Sequence, residues 1–277
     1  MSISAAAPAS TRSRSGNAAW VALCYHDVQP TMPAAGGGPS MFTTPLASFE
    51  RMLDAIARNG QVGCTLSRAV SAPSAQQVAI TFDDGNIGQY QYAFPALVAR
   101  GMTATFYITT KWVGQPGFVS WDHLRELVAA GMSVQSHTVS HPFLSELKQD
   151  RLLIELRESK AQLDVELSQD TSELAFPGGD PPAPALRHLI EATGYRLAVG
   201  SRWGTNRGAV SAGFVRRCTA RGEITEQHAQ RILSADWSLA FRWTAKEATL
   251  RRLRSVLGAS RYARWRRTLL DAITAHS

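Results

Sequence analysis

Short runs dense in β-branched and aromatic residues alternate along the chain with stretches whose apolar residues fall three and four apart. Residues 18–25 are the first such run, packed with Val, Leu and Ala. Residues 78–82, 103–108, 132–136, 173–176, 196–199 and 214–218 repeat the pattern. They have the length and composition of buried strands. The stretches between them have helical spacing. In residues 46–59, Leu46, Phe49, Met52, Leu53 and Ile56 share one face, and Gly60 closes the segment. Residues 92–100, 121–130 and 184–193 are helical too, each followed by a glycine (Gly101, Gly131, Gly194). Residues 145–167 carry a longer amphipathic pattern, and residues 225–233 and 246–273 are also helical. Residues 29–39, rich in Pro and Gly, are loop.

Regular β–α alternation predicts a parallel sheet with helices outside it. About seven strands over some 220 residues suggest an α/β barrel or part of one. The expected division is an N-terminal arm over residues 1–17, one domain over 18–245, and a basic helical extension over 246–277 packed on that domain.

Composition narrows the class. Hydrophobic residues make up 44% and charged residues 18% of the 277, which excludes an intrinsically disordered chain. No apolar run approaches the ~20 residues of a membrane span. Three cysteines, Cys24, Cys64 and Cys218, lie far apart without CxxC spacing, so neither a disulfide scaffold nor a structural zinc site is expected. The net charge of +7 fits an anionic partner or simply the Arg usage of a GC-rich genome. No P-loop or Rossmann fingerprint is present, and no nucleic-acid partner is expected. The Arg-rich stretch 250–270 fits peripheral contact with an anionic membrane, or a solvated face over a Leu/Trp stripe. The first residues lack the apolar stretch of a secretory signal, so the expected location is cytoplasmic, with membrane association through that basic helix.

In barrels of this kind, chemistry collects at the C-terminal ends of strands. Four strand ends here carry unusual polar residues: Tyr25-His26-Asp27, Phe82-Asp83-Asp84-Gly85, Ser136-His137-Thr138-Val139-Ser140-His141 and Phe176-Pro177-Gly178-Gly179. His137 and His141 are spaced i, i+4, which on one helical turn would let two imidazoles share an ion. Such a pair also occurs as ordinary surface or capping histidines. Asp83 and Asp84 point in different directions, so one carboxylate can ligate an ion while the other takes a proton from its water. Asp-Asp-Gly alone also suits a helix cap or turn.

Taken together, the motifs are more specific. Residues 78–85 (VAITFDDG) resemble the first signature of the polysaccharide deacetylase family, carbohydrate esterase family 4, and residues 136–142 (SHTVSHP) its second. Residues 92–108, 121–144 and 194–199 resemble further parts of the family, and the likeness spans roughly residues 20–220. It implies a distorted (β/α)7-type barrel. It also implies a divalent metal, most often zinc, held by Asp84, His137 and His141, with Asp83 as catalytic base. The third signature departs from the family's Arg-x-Pro-Tyr-Gly: Ala175 stands at the arginine that would steady the base, and Gly178 at the tyrosine. Gly178 retains the backbone N–H that in the family meets the oxyanion, and the missing side chain predicts a wider or differently shaped pocket beside Pro177. The family's C-terminal acid histidine has no good counterpart. Residues 24–28 (CYHDV) resemble the N-terminal segment of poly-N-acetylglucosamine deacetylases, which makes His26 the expected acid. Trp203 and Trp237 are candidate sugar-stacking aromatics, and Arg216 a candidate contact to substrate or to the base. The implied activity is metal-dependent removal of the N-acetyl group from an amino sugar in a glycan, glycolipid precursor or glycosylated metabolite. The alternatives are a deformylase, a cyclic amide hydrolase of the same superfamily, or a carbohydrate-binding module without turnover.

Overall fold

The first expected strand is buried along nearly its whole length, as a strand covered on both faces must be. A computed structural model of the chain describes residues 19–32, 42–208 and 214–234. The chain begins with β1 (Ala19–Tyr25), β2 (Asp27–Gln29), β3 (Thr43–Pro45), α1 (Leu46–Arg58), β4 (Val62–Cys64) and α2 (Leu66–Ser71). It continues through β5 (Gln77–Phe82), α3 (Phe94–Val98), β6 (Thr105–Ile108), α4 (Trp121–Ala129), β7 (Ser133–Ser136) and α5 (Gln149–Leu167). It ends in β8 (Glu173–Ala175), α6 (His188–Ala192), β9 (Leu197–Val199), β10 (Asn206–Arg207), β11 (Phe214–Val215), β12 (Cys218–Thr219) and α7 (Glu226–Leu233). The arm over 1–17, the extension over 246–277 and Trp237 lie outside the described residues.

The sheet runs β10-β1-β5-β6-β7-β8-β9-β11 and is parallel except for β10. It curls into the expected distorted barrel but is not hydrogen-bonded shut. The free edge of β1 is shared: β10 pairs with Ala19 and Trp20, and β12 with Leu23 and Cys24. β11 and β12 are two residues apart in sequence yet lie on opposite edges, so residues 216 and 217 bridge a seam in the wall.

Helices cover the outside through the faces their spacing predicts. α1 buries Phe49, Met52, Leu53 and Ile56. Phe49 meets Tyr25 edge-on at 5.0 Å, and Phe82 stacks on Phe106 at 4.7 Å. Each such pair adds about 0.5–1.5 kcal/mol beyond the area it buries. α4 begins at a capping box in which Ser120 Oγ accepts from the His123 N–H and His123 Nδ1 accepts from the Ser120 N–H.

Several local features differ from the sequence reading: β2, β3 and β10 are strands that the sequence pattern does not predict, and the run expected as one strand over 214–218 splits into β11 and β12. β4 and α2 are additional elements, and β4 pairs with the first half of β5. The helix expected over 92–100 starts earlier, as a π-helical turn Gln89–Ala93 that runs into α3. The His137–His141 segment is a non-helical turn after β7, with Thr138 and His141 in the left-handed region (φ 68° and 59°).

A buried carboxylate sits low in the barrel. Glu173, on β8, is 2% exposed and accepts from Tyr107 Oη at 2.7 Å. Burial pushes its carboxyl from 4.5 up to about 7, against the hydrogen bonds from Tyr107 and Ser67. A raised native value means the native state holds this proton more tightly than the unfolded chain. Its stabilisation is therefore full below the unfolded value and is lost as pH rises through the native one. From pH 4.5 to 8, wild type is expected to lose about 2–3 kcal/mol relative to Glu173→Gln, read by urea unfolding at both pH values. Parallel pH dependences would refute the raised value.

Candidate active site

Because β1, β5, β7 and β8 are parallel, their C-terminal ends share one rim, and the four polar strand ends meet there. Asp84 leaves β5 with φ 79°. Together with Thr138 and His141 this makes three side-chain-bearing residues in the left-handed region around one site. Such residues cost of order 1–3 kcal/mol each and concentrate where function demands them.

Asp84 Oδ1 lies 3.4 Å from His137 Nε2 and 3.4 Å from His141 Nε2. His137 Nδ1 is 2.9 Å from the Ala175 carbonyl, which can only accept; Nδ1 therefore carries a proton, and Nε2 is the ring atom aimed at Asp84. Burial and the neighbouring His137 push His141 down to about 4, leaving it neutral. Burial alone would lower His137, but the Asp83 and Asp84 carboxylates raise it. Asp84 Oδ1 is buried without a hydrogen-bond partner. An orphaned carboxylate oxygen facing two imidazole nitrogens is the donor set of a divalent ion. Ligands about 2.0–2.2 Å from one tetrahedral ion stand about 3.3–3.6 Å apart, which matches these separations.

Asp83 lies on the other side of the same strand end, 2% exposed. Arg217, fully buried in the barrel seam, grips it with both arms: Nη1 to Oδ1 at 2.6 Å and Nη2 to Oδ2 at 2.7 Å. Arg217 Nε donates to the Gly200 carbonyl at 2.8 Å, and Nη1 also to Thr81 Oγ1 at 3.1 Å. Its guanidinium lies over the Tyr107 ring, 5.5 Å from the centroid. Burial would push the Asp83 carboxyl up. The Arg217 charge, helped by His137 and His26, more than offsets this and holds it well below the usual carboxylate range.

Ligand atoms of His26, Cys24 and Asp83 lie within 4.8 Å of one another. The His26 ring packs on Phe42 at 4.8 Å, and burial lowers its pKa despite the nearby Asp84 and Asp83 charges. One side chain ties the two strand ends together: Gln89 Nε2 donates to the backbone carbonyls of both His26 and Asp83 at 2.5 Å.

Gly178 is exposed in the turn Pro177–Gly179, and Pro177 is buried. The first amides of such a turn have no partner within it, so the Gly178 N–H is available to an anion. Gly178 has φ 60°, and a Cβ there would stand 2.7 Å from Phe143 Cε1. The Phe143 ring fills the space that the glycine was expected to leave open, so the pocket is not widened at this point.

The structure also places two further candidate contacts. Trp203 is 4% exposed and packed within the main core, so it presents almost no surface to a sugar. Arg216 points outward; its N–H and carbonyl are both bonded by the Asn206 amide, and its neighbour Arg217 is the one that meets Asp83. Strand alternation carries the signal: Val215 and Arg217 face inward and Arg216 outward. The rim aromatic is instead Trp112, 5.2 Å from the His141 ring and 5.0 Å from Phe118.

Comparison with known proteins accords with this arrangement. The sequence profile described as "Polysaccharide deacetylase" matches residues 71–198. The Bacillus subtilis (strain 168) protein YxkH, which carries the family's name, is 33% identical over 183 residues, covering 64% of this chain; the chain spans 62% of that protein's length. Among solved structures, the Streptococcus pyogenes deacetylase PplD in complex with acetate superposes with TM-score 0.71 at 24% identity, over 78% of this chain and 99% of that one. IcaB from Ammonifex degensii superposes with TM-score 0.65 at 25% identity, over 78% and 96%. Over residues 71–198 the chain thus matches the polysaccharide deacetylase family, and its fold and strand-end signatures are similar to those of that family.

Proposed function

We propose that this protein is a metal-dependent hydrolase that removes the acetyl group from an N-acetylated amino sugar. The observation that carries the reading is the convergence of Asp84, His137 and His141 next to an ionised, arginine-bound Asp83. A carbohydrate-binding module would need neither the ligand triad nor the buried base. Zinc is the ion best suited to two imidazoles and one carboxylate with a position left open.

A divalent ion held by these three residues would lower the pKa of a water and polarise the amide carbonyl. The remaining work falls to the chain. Asp83 accepts the water's proton as its oxygen bonds to the carbonyl carbon. Arg217 keeps that carboxylate ionised and aimed. The Gly178 N–H donates to the developing oxyanion. As the C–N bond breaks, His26 passes to the leaving amine the proton that the adjacent Asp83 has taken, and acetate and the free amino sugar depart. The likeness of residues 24–28 to poly-N-acetylglucosamine deacetylases supports an N-acetylglucosamine-type substrate.

Elemental analysis tests the site directly. Wild type is expected to carry about one divalent ion per chain, and His137→Ala to lose it. Acetate release from N-acetylated sugars should follow the metal. Absence of metal from both proteins after reconstitution would overturn the reading, and release of formate alone would redirect it to a deformylase.

A further inference from the structure

Residues 138–141 have no regular structure to hold them, yet they place the second imidazole of the site. Side chains satisfy every N–H of this turn. The Thr138 N–H donates to Ser136 Oγ at 3.2 Å, and the His141 N–H to Thr138 Oγ1 at 3.2 Å. The two middle amides, Val139 and Ser140, donate to one carboxylate oxygen, Glu155 Oε2, at 2.8 and 2.9 Å. Glu155 Oε1 takes the Ser140 hydroxyl at 2.6 Å. Glu155 is 2% exposed, and among the described residues only the exposed Arg151 forms an ion pair with it, at 3.9 Å. Its charge is thus met mainly by peptide dipoles of the turn, a concave amide arrangement suited to an anion. One turn further along α5, Ser159 Oγ bonds Ser136 Oγ at 2.8 Å, so the same helix face supports the start of the turn as well.

We propose that Glu155 is a positioning residue that sets the affinity of the Asp84–His137–His141 site for its ion. This rests on the metal reading above. The two histidines depend on it differently. His137 is fixed by β7 and its neighbours, through its N–H to the Ile108 carbonyl at 2.9 Å and its ring to Ala175. His141 has no strand of its own behind it; the turn before it is held on its carbonyl side by the Thr110 and Lys111 N–H groups, which donate to the Thr138 and Val139 carbonyls, and on its N–H side by Glu155. Removing the carboxylate loosens the N–H side of the turn, and His141 Nε2 shifts from its place beside Asp84 while His137 stays.

The test is zinc affinity, measured by competition with a chromophoric chelator on the full chain, with the visible spectrum of the cobalt-loaded protein as a second readout. Glu155→Gln puts an amide donor where two N–H groups need an acceptor. It is expected to weaken zinc binding roughly 10–100-fold and to alter the cobalt bands. Leu163→Ala, a core change on the same helix, should lower the melting temperature yet leave zinc affinity within about threefold, because Leu163 lies about two helical turns beyond Glu155. Should Glu155→Gln not fold, Ser140→Ala removes the bond to Oε1 from the other side and is expected to weaken binding several-fold. Wild-type affinity in folded Glu155→Gln, or in Ser140→Ala if it must stand in, would overturn the proposal, as would an equal loss in Leu163→Ala. Failure of the wild type itself to bind zinc would be seen first and would instead overturn the metal reading.

Discussion

Asp83→Asn is expected to lower turnover of an N-acetylated sugar roughly 10²–10⁴-fold while the purified protein keeps its metal. Asparagine has the shape of the aspartate but cannot take the water's proton. Asp84, His137 and His141 keep their mutual distances, since none of them bonds to the Asp83 carboxylate. The substitution has a second cost. It leaves the Arg217 guanidinium fully buried without a counter-charge, so the variant should also be less stable, and turnover must be read well below its melting temperature. Activity within tenfold of wild type would remove Asp83 as the base. Loss of the metal would place Asp83 among the ligands instead.

The largest effect on stability is expected from the other half of the pair. Arg217→Met should cost about 3–5 kcal/mol at pH 7, because a carboxylate is then left in the core with no cation. The pH dependence should change sign with it. In wild type the depressed Asp83 carboxyl contributes stability in full above the ordinary carboxylate value, and this is lost only as pH falls toward the native one. In Arg217→Met burial dominates, the neutral acid is favoured, and the native state weakens as pH rises instead. The double variant Asp83→Asn/Arg217→Met removes both charges and should be destabilised by clearly less than the two single losses added together. Urea unfolding of the four proteins reads all of this. A single-variant loss below about 1 kcal/mol would mean that solvent reaches the pair.

The architecture was legible because its strands are buried on both faces and its helices on one. Runs such as residues 18–25 and the face of Leu46, Phe49, Met52, Leu53 and Ile56 therefore carry the period of the structure they form. β4 escaped because three residues, Val62–Cys64, are too few to show any period; they are strand only because the edge of β5 is there to pair with. The chemistry of four strand ends was visible as types of residue, but not its backbone. The i, i+4 histidines suggest a helix, whereas Glu155, 14 residues beyond His141, supplies the acceptors that allow a different turn. Arg217 was hidden by company: in an arginine-rich chain only the inward–outward alternation of residues 215–217 marks it. Trp203 shows the converse, an aromatic whose suitability for a sugar says nothing of whether it reaches the surface.

The union of Asp83 with Arg217 also ties activity to the order in which the chain is made. The partners are 134 residues apart in sequence. A ribosome completes both signature motifs and the Gly178 turn well before it reaches the guanidinium that makes the charge on Asp83 tolerable inside the barrel. Until then that carboxylate can stay ionised only by staying wet, because burying it alone would cost more than the fold can supply. Under the proposed mechanism, a nascent chain that ends before residue 217 would hold no competent base, and hydrolysis would wait until the last strands close the seam.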